Sequence, residues 1–136
     1  MKRDMDMVRD LLLKVEDGQK VFETASSEMA AMLGFEPDTT LSQEEADKLA
    51  GHLTLLEEAD FIVVDGRMGG GSVLVDRLTW RGHEFLDTIR DDEVWAQTKQ
   101  TAKKAGTGAI EFVWGIAKEV AKAEIKRRTG LDVGLP

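Results

Sequence analysis

A β-hairpin signal in an otherwise helical pattern constrains the fold of this chain most strongly. Two apolar runs, residues 61–64 and 72–78, flank a loop that contains Asp65, Gly66 and the three glycines 69–71. Apolar, β-branched runs on both sides of a glycine-rich loop are typical of two antiparallel strands. We therefore expect a mainly α fold with one small antiparallel β-hairpin, which places the chain in the α+β class.

Helical periodicity precedes the hairpin. Val8, Leu11, Leu12 and Val15 have the i, i+3, i+4, i+7 spacing of one helix face, which predicts a helix over residues 4–17. A short strand is expected at residues 20–23. Ser26 or Ser27 then caps a brief helix that Gly34 ends, and Pro37 lies in the loop beyond it.

The clearest helix start lies just before the hairpin. Ser42 and Glu45 form a capping box, in which the serine hydroxyl accepts from the amide three residues later. The helix that follows ends near Asp60 and places Ala46, Leu49, Leu53 and Leu56 on one face. Because it lies directly before the hairpin, this third helix is the element on which a functional hypothesis depends most.

Helices also follow the hairpin. Thr79 caps the first of them, and the acidic residues 91–93 suit the start of the second. A final helix is expected over residues 108–128. We divide the chain into a domain of residues 1–90 and a helical extension of residues 91–136. The order of the first six elements is that of a winged helix, with the glycine loop as the wing and the third helix in the position of a recognition helix.

The last helix carries one apolar stripe, which consists of Ile110, Val113, Trp114, Ala117, Val120, Ala121 and Ile125. A lone helix with such a face is marginal in water, so the stripe has to be covered by the body, by a second copy or by a partner. Symmetric dimers are the commonest assembly for such a surface. We expect a homodimer, or a protein partner, bound through this helix.

Charge is unevenly distributed along the chain. The net charge is −8; residues 1–96 hold 10 basic and 22 acidic side chains, whereas residues 97–136 hold 8 and 4. The third helix carries five carboxylates and one lysine, Lys48, and the wing adds only Arg67. DNA phosphates require local cations, so nucleic acid is a disfavoured partner. Lys48 and Arg67 are the candidate DNA contacts if that view is wrong.

The residue types leave little chemistry for an enzyme. Cysteine and tyrosine are absent. The loop from Gly66 has the outer spacing of a phosphate loop, but Ser72 stands where a lysine is required, and a strand follows instead of a helix. His52 and His83 lack neighbours at metal-ligand spacing, so we expect both to be hydrogen-bonded, partly buried structural residues. No catalytic residue, cofactor or metal is predicted.

The remaining composition favours a soluble protein. No apolar run approaches the roughly 18 residues of a membrane span, and no signal-peptide pattern is present. We expect a cytoplasmic protein with no membrane partner. Trp80, Trp95 and Trp114 each lie on or beside an apolar helix face, which favours core packing or a protein interface over base stacking.

Several sequence blocks carry a family resemblance. They are residues 1–6, residues 52–59, residues 77–87 and the segment from Ile89 to Trp95. Together they resemble an uncharacterised bacterial and phage family, domain of unknown function 2513. The resemblance covers nearly the whole chain and implies a winged-helix fold in a phage or prophage setting, with no catalytic residue to carry over. The chain departs from the family in a longer link over residues 24–40 and in Gly51, where a bulkier residue is expected.

These observations favour one function and leave a second open. The favoured function is a non-catalytic protein-interaction module built on a winged helix. The alternative is a DNA-binding transcriptional regulator of the winged-helix type, which the fold analogy favours and the acidic third helix opposes.

Overall fold

The computed structural model describes residues 1–34, 41–69 and 71–132. Six helices and three strands occur within these ranges. In chain order they are α1 (Met5–Glu16), β1 (Val21–Glu23), α2 (Ser27–Met32), α3 (Gln43–Glu58), β2 (Ile62–Met68), β3 (Ser72–Leu78), α4 (Trp80–Ile89), α5 (Asp92–Ala105) and α6 (Ile110–Thr129). The α+β class and the order of elements are as expected from the sequence. Pro37, residues 35–40 of the link and Gly70 of the wing lie outside the described residues.

Helix starts follow the capping residues in the sequence. Asp4 caps α1 by accepting from the amides of Asp6 and Met7, and Ser26, not Ser27, caps α2. The Ser42 hydroxyl accepts from the Glu45 amide at 3.1 Å, as the capping box requires. Each cap satisfies amides that the first helical turn cannot pair.

The sheet has three antiparallel strands in the order β1-β3-β2. β1 pairs Val21 with Leu74, and β2 pairs Ile62 with Leu78 and Met68 with Ser72. Asp65 and Gly66 were expected in the loop, and this was wrong because both lie within β2. Irregularities in the pairing between Val63 and Gly66 absorb the change of register, so the strand continues to Met68.

The chain divides into two compact units, Met1–His83 and Glu84–Pro136. The boundary lies inside α4, earlier than the end of the expected first domain at residue 90. In the second unit the Phe85 and Trp114 rings meet edge to face, with centroids 5.2 Å apart. This contact groups the later part of α4 with α6, which explains why the division precedes the end of the helix.

Each unit buries its own apolar side chains. In the first unit α1 contacts β3 and α3, and α3 contacts β2. The large buried residues there are Leu11, Leu12, Phe22, Leu53, Leu56, Phe61, Ile62 and Val75. In the second unit α5 packs against α6, and the buried residues include Phe85, Leu86, Ile89, Val94, Trp95, Val113, Trp114 and Ala117.

Candidate protein-interaction site

Helix α3 presents an acidic face to solvent. Ala46, His52, Leu53 and Leu56 are buried on its other side. The exposed positions are Glu44, Glu45, Asp47, Thr54 and Glu58, with Gln43 at the first position. Four of these exposed side chains are carboxylates, and we call this surface the acidic face of α3. It attracts cations and repels phosphates.

The candidate cation on α3 is paired within the first unit. Lys48 Nζ lies 2.8 Å from Asp4 Oδ2, and both side chains are partly exposed. The hydrogen bond from Lys48 lowers the pKa of the Asp4 carboxyl from its ordinary value of 3.8. Lys48 therefore serves to hold the start of α1 against α3, and its charge is already compensated.

His52 supports the same junction from inside. Its side chain is fully buried. Nε2 accepts from the Asp4 amide at 2.8 Å, and Nδ1 lies 2.7 Å from the Lys48 carbonyl oxygen, which assigns the ring proton to Nδ1. The expectation of a hydrogen-bonded structural residue is confirmed for His52. It was wrong for His83, which is exposed because it points away from the buried stripe of Phe85, Leu86 and Ile89 on α4.

The candidate cation on the wing is also paired. Arg67 lies on β2, and its guanidinium donates to Glu57 Oε1 of α3 at 3.0 Å. Both side chains are partly exposed, so the pair contributes little stability. It does place a carboxylate beside the wing cation. Lys48 and Arg67 therefore do not form a joint cationic surface on α3 and the wing.

A cavity of about 240 Å³ opens next to the acidic face. It lies between the end of β1, helix α2, the first turns of α3 and the turn of the hairpin. Its lining residues are Thr24, Ala25, Ser26, Met29, Leu33, Gln43, Asp47 and Gly71. The volume exceeds that of engineered cavities of roughly 150 Å³ that hold a benzene ring. An aromatic or branched aliphatic side chain therefore fits inside it.

A hydrogen-bond chain lines the polar side of this cavity. The fully buried Ser26 donates to Gln43 Oε1 at 2.8 Å and accepts from the Met29 amide at 3.0 Å. Gln43 Nε2 then donates to Asp47 Oδ1 at 2.9 Å. The chain fixes the amide of Gln43, and Asp47 forms an exposed acidic edge of the cavity. That edge suits a cationic group.

The other edge of the cavity is apolar and exposed. Met29 is 39% exposed, Met32 83% and Leu33 51%. These three residues lie at i, i+3 and i+4 in α2 and its C-cap, and we call them the apolar edge of α2. Met29 and Leu33 line the cavity itself. Methionine side chains are flexible and polarizable, and they adapt to partners of different shape.

A family model described as a hypothetical protein, domain of unknown function 2513 (DUF2513), matches residues 2–108. The chain belongs to the DUF2513 family. A protein of Haemophilus influenzae with the printed name "Uncharacterized protein" is 30% identical over 129 residues, which are 93% of this chain and 98% of the relative. No solved structure matches the chain. The family indicated by the sequence blocks is thus confirmed.

The matched family region ends before α6 begins, although the Haemophilus relative extends over most of that helix as well. In this DUF2513 protein the expected interface stripe divides into two groups. Val113, Trp114 and Ala117 are buried within the chain. The other four, Ile110, Val120, Ala121 and Ile125, are partly or more fully exposed. These three buried residues are not accessible to a second copy while α6 is packed within its unit. A dimer through the whole stripe stays a prediction, and it requires α6 to detach from that packing.

The basic end of α6 is engaged inside the second unit of the DUF2513 chain. Arg128 donates to both carboxylate oxygens of Asp91 at 2.8 and 3.2 Å. Arg127 pairs with Glu124 at 2.8 Å, and both arginines lie within 3.5 Å of Glu93. We call these five residues the α5–α6 clasp. The clasp compensates part of the positive charge that residues 97–136 carry.

The tryptophans of the DUF2513 chain differ in environment. Trp95 and Trp114 are buried, and Lys118 Nζ lies 5.0 Å from the ring centroid of Trp114. Trp80 is 82% exposed at the start of α4, so core packing does not account for it. Within the described ranges no group of three or more His, Cys, Asp or Glu side chains is placed to hold a metal ion. In the same part of the chain, no helix has the length and apolar character needed to cross a membrane.

Sequence reasoning missed the cavity and the apolar edge of α2. Met29, Met32 and Leu33 were identified only as members of a short helix. Their spacing gave no sign of which face would be covered, because a six-residue helix is too short to show a clear amphipathic period. The polar lining comes from two separate elements, and only the packing of the α2 N-cap against α3 brings Ser26 to Gln43 and Asp47.

Proposed function

We propose that this protein is a non-catalytic interaction module of the winged-helix type, which binds a basic segment of a protein partner on the acidic face of α3. The observation that carries the proposal is the charge on that face. Four of its exposed side chains are carboxylates and none is a cation, while Lys48 and Arg67 are each paired with a carboxylate of the same unit. Complementary charge steers encounter and selects against partners of the wrong sign.

The arrangement of elements supports the winged-helix assignment. Helix, strand, two helices and a hairpin follow one another, and β1 adds to the free edge of β3. The hairpin then corresponds to the wing, and α3 to the helix that such domains present to a partner. Fold analogy alone does not identify the partner, so the charge on α3 has to decide.

The proposal that the protein is non-catalytic rests on which side chains could act as a nucleophile or a general base. Cysteine and tyrosine are absent. Of the two histidines, one is buried with both ring nitrogens engaged by backbone groups. The other is exposed on α4. Neither arrangement resembles a general base that is held beside a nucleophile.

DNA binding is the second candidate, and the position of α3 favours it. A recognition helix has to approach phosphates and acceptor-rich base edges. Helix α3 brings carboxylates to that approach and keeps its single lysine paired with Asp4. We therefore expect binding to short duplexes to be weaker than roughly micromolar at physiological salt, which is the non-specific range.

A two-probe titration tests the proposal. One probe is a fluorescein-labelled lysine-rich peptide, and the other is a labelled DNA duplex of mixed sequence. We expect the peptide to bind and the duplex to remain unbound at physiological salt. The variant Glu44→Gln/Glu58→Gln should weaken peptide binding about threefold or more, since each exposed ion pair contributes up to about 1 kcal/mol.

The matched control removes the same charge elsewhere. Asp65 lies exposed on β2 and Asp132 exposed after α6. The variant Asp65→Asn/Asp132→Asn should leave the affinity for the peptide close to that of the natural chain. Equal losses in both double variants would show a general effect of net charge. Tight binding of the duplex at physiological salt would favour the DNA-binding alternative instead.

A further inference from the structure

The cavity beside α3 adds a second requirement to the partner. We infer that the partner is a cationic amphipathic segment, which inserts one large apolar side chain between Met29 and Leu33 and places a basic side chain against Asp47. This inference rests on the proposed function and specifies its partner. It adds the cavity and the apolar edge of α2 to the charge on the acidic face of α3.

The size of the cavity supports an apolar anchor. At about 240 Å³ it is open to solvent and far larger than a single water molecule requires. Its apolar side consists of Met29 and Leu33, which are 39% and 51% exposed. Covering this surface with an apolar side chain is favourable because it removes apolar area from water on both partners.

The charge around the cavity determines what surrounds the anchor. Asp47 lines the cavity itself, Glu28 lies exposed on α2, and Glu44 lies exposed on α3. The Asp47 carboxylate receives a hydrogen bond from Gln43 at 2.9 Å. A partner with lysine or arginine beside its apolar residue compensates these charges, whereas an acidic or purely apolar partner leaves them uncompensated.

The apolar edge of α2 and the acidic face of α3 lie side by side, with the cavity between them. An amphipathic helix presents apolar residues on one side and basic residues on the flank, at i, i+3 and i+4 spacing. The surface therefore fits the helix-in-groove mode of peptide recognition.

Two labelled synthetic peptides test the inference against the whole chain. The first is an amphipathic helix with leucines on one face and lysines on the flanks. The second keeps every lysine and replaces the leucines with serines. We expect the leucine peptide to bind roughly tenfold or more tightly, because burying one leucine side chain removes its apolar surface from water. Backbone amide shifts in NMR spectra should then map to Met29, Leu33 and Asp47.

Variants of the chain locate the binding. Met29→Ser should weaken the leucine peptide strongly and leave the serine peptide nearly unchanged. Asp47→Asn keeps the acceptor for Gln43 and should weaken both peptides by about two- to fivefold. The matched controls are Leu131→Ser, an exposed apolar residue in the second unit, and Asp65→Asn on β2. Both controls should bind as the natural chain does.

The outcomes separate the inference from the function on which it rests. If both peptides bind equally and Met29→Ser has no effect, the apolar anchor is refuted while the acidic docking surface stands. If neither peptide binds, the proposed function fails as well. If the leucine peptide binds but its shifts map to the second unit, the cavity is not the docking site and the inference is overturned.

Discussion

Gly82 shows how a single residue sets the distance between α4 and the start of β2. A Cβ atom built at Gly82 would lie 2.1 Å from the carbonyl oxygen of Phe61. The same oxygen accepts from the Thr79 amide at 3.0 Å, and the Thr79 hydroxyl accepts from the Gly82 amide at 2.9 Å. The Leu78-to-Gly82 pattern in the sequence thus has a steric reason, because only glycine allows the helix to approach this backbone.

The variant Gly82→Ala should lower the free energy of unfolding by about 3 kcal/mol or more, since the clash is with backbone atoms that cannot rotate away. Chemical denaturation of the purified chain measures the change. Gly115→Ala is the matched control. Gly115 lies inside α6 with no atom within 4 Å of a built Cβ, so alanine there should raise stability by about 0.5 to 1 kcal/mol. A neutral Gly82→Ala variant would contradict the close approach.

Gly51 illustrates a departure from the family that the structure explains. A Cβ atom at Gly51 would lie 2.5 Å from the sulfur of Met1. The side chain of Met1 therefore covers the position where a bulkier residue was expected. The sequence showed the missing side chain at residue 51, but it could not show that the first residue of the chain fills the space, because the two positions are distant in sequence.

The α5–α6 clasp joins the start of α5 to the last turn of α6. Asp91 caps α5 by accepting from the amides of Glu93 and Val94, and its carboxylate also receives Arg128 from the last turn of α6. Acidic groups at a helix start and basic groups at a helix end each favour the helix dipole. The start of α5 and the end of α6 lie at the same end of the helix pair. The acidic groups that favour the start of α5 therefore pair with the basic groups that favour the end of α6.

The clasp should make the stability of the chain depend on acid pH. Hydrogen bonds from Arg128 lower the pKa of Asp91 from 3.8 to about 2. A pKa lowered by folding adds stability above the unfolded value, and this stability is lost as pH falls through the folded value. The melting temperature of the natural chain should therefore fall between pH 3.8 and about 2. The variant Asp91→Asn, which keeps a capping oxygen, should melt lower at neutral pH and show a shallower acid decline.

Two variants complete the pH experiment. Arg128→Gln removes the largest cause of the lowered pKa of Asp91 and should reduce the acid dependence in the same way. Asp132→Asn removes an exposed carboxylate after α6 and should keep the full dependence. If the Asp91→Asn and natural chains lose stability in parallel below pH 3.8, the clasp makes no contribution through Asp91.

Helix α6 has one side covered within its own unit and another side exposed. Trp114 is 8% exposed and meets Phe85 edge to face within the second unit. Phe112, two residues earlier on the same helix, is 66% exposed. Trp114 therefore lies on the covered side of α6, and Phe112 lies on the side that is open to another molecule.

This contrast gives a test of the homodimer prediction. Trp114→Asp should lower the free energy of unfolding by about 4 kcal/mol or more in either assembly state, because it removes a buried aromatic ring and buries a charge. Phe112→Asp should keep the melting temperature of the natural chain. Sedimentation of both variants beside the natural chain then separates folding from association. If the natural chain sediments as a monomer at micromolar concentrations, the homodimer prediction is wrong.

The order of elements was readable from the sequence because its determinants are local. Caps such as Ser42 and Asp91 act on amides within three residues, and glycine loops act on the two strands they join. The same locality gave the acidic character of α3, since its carboxylates and its lysine lie on one segment. These features needed no knowledge of what packs against them.

Only the tertiary structure decided which charges and surfaces remain available. The partners of Lys48 and Arg128 lie 44 and 37 residues away, so sequence patterns could not reveal that both are compensated. The exposure of His83 and the burial of His52 likewise depend on which helix face the rest of the chain covers. The cavity beside α3 arises where β1, α2, α3 and the hairpin turn meet. Burial and long-range pairing are properties of the packed chain, and for that reason a sequence pattern determines the elements but not the surface that they leave for a partner.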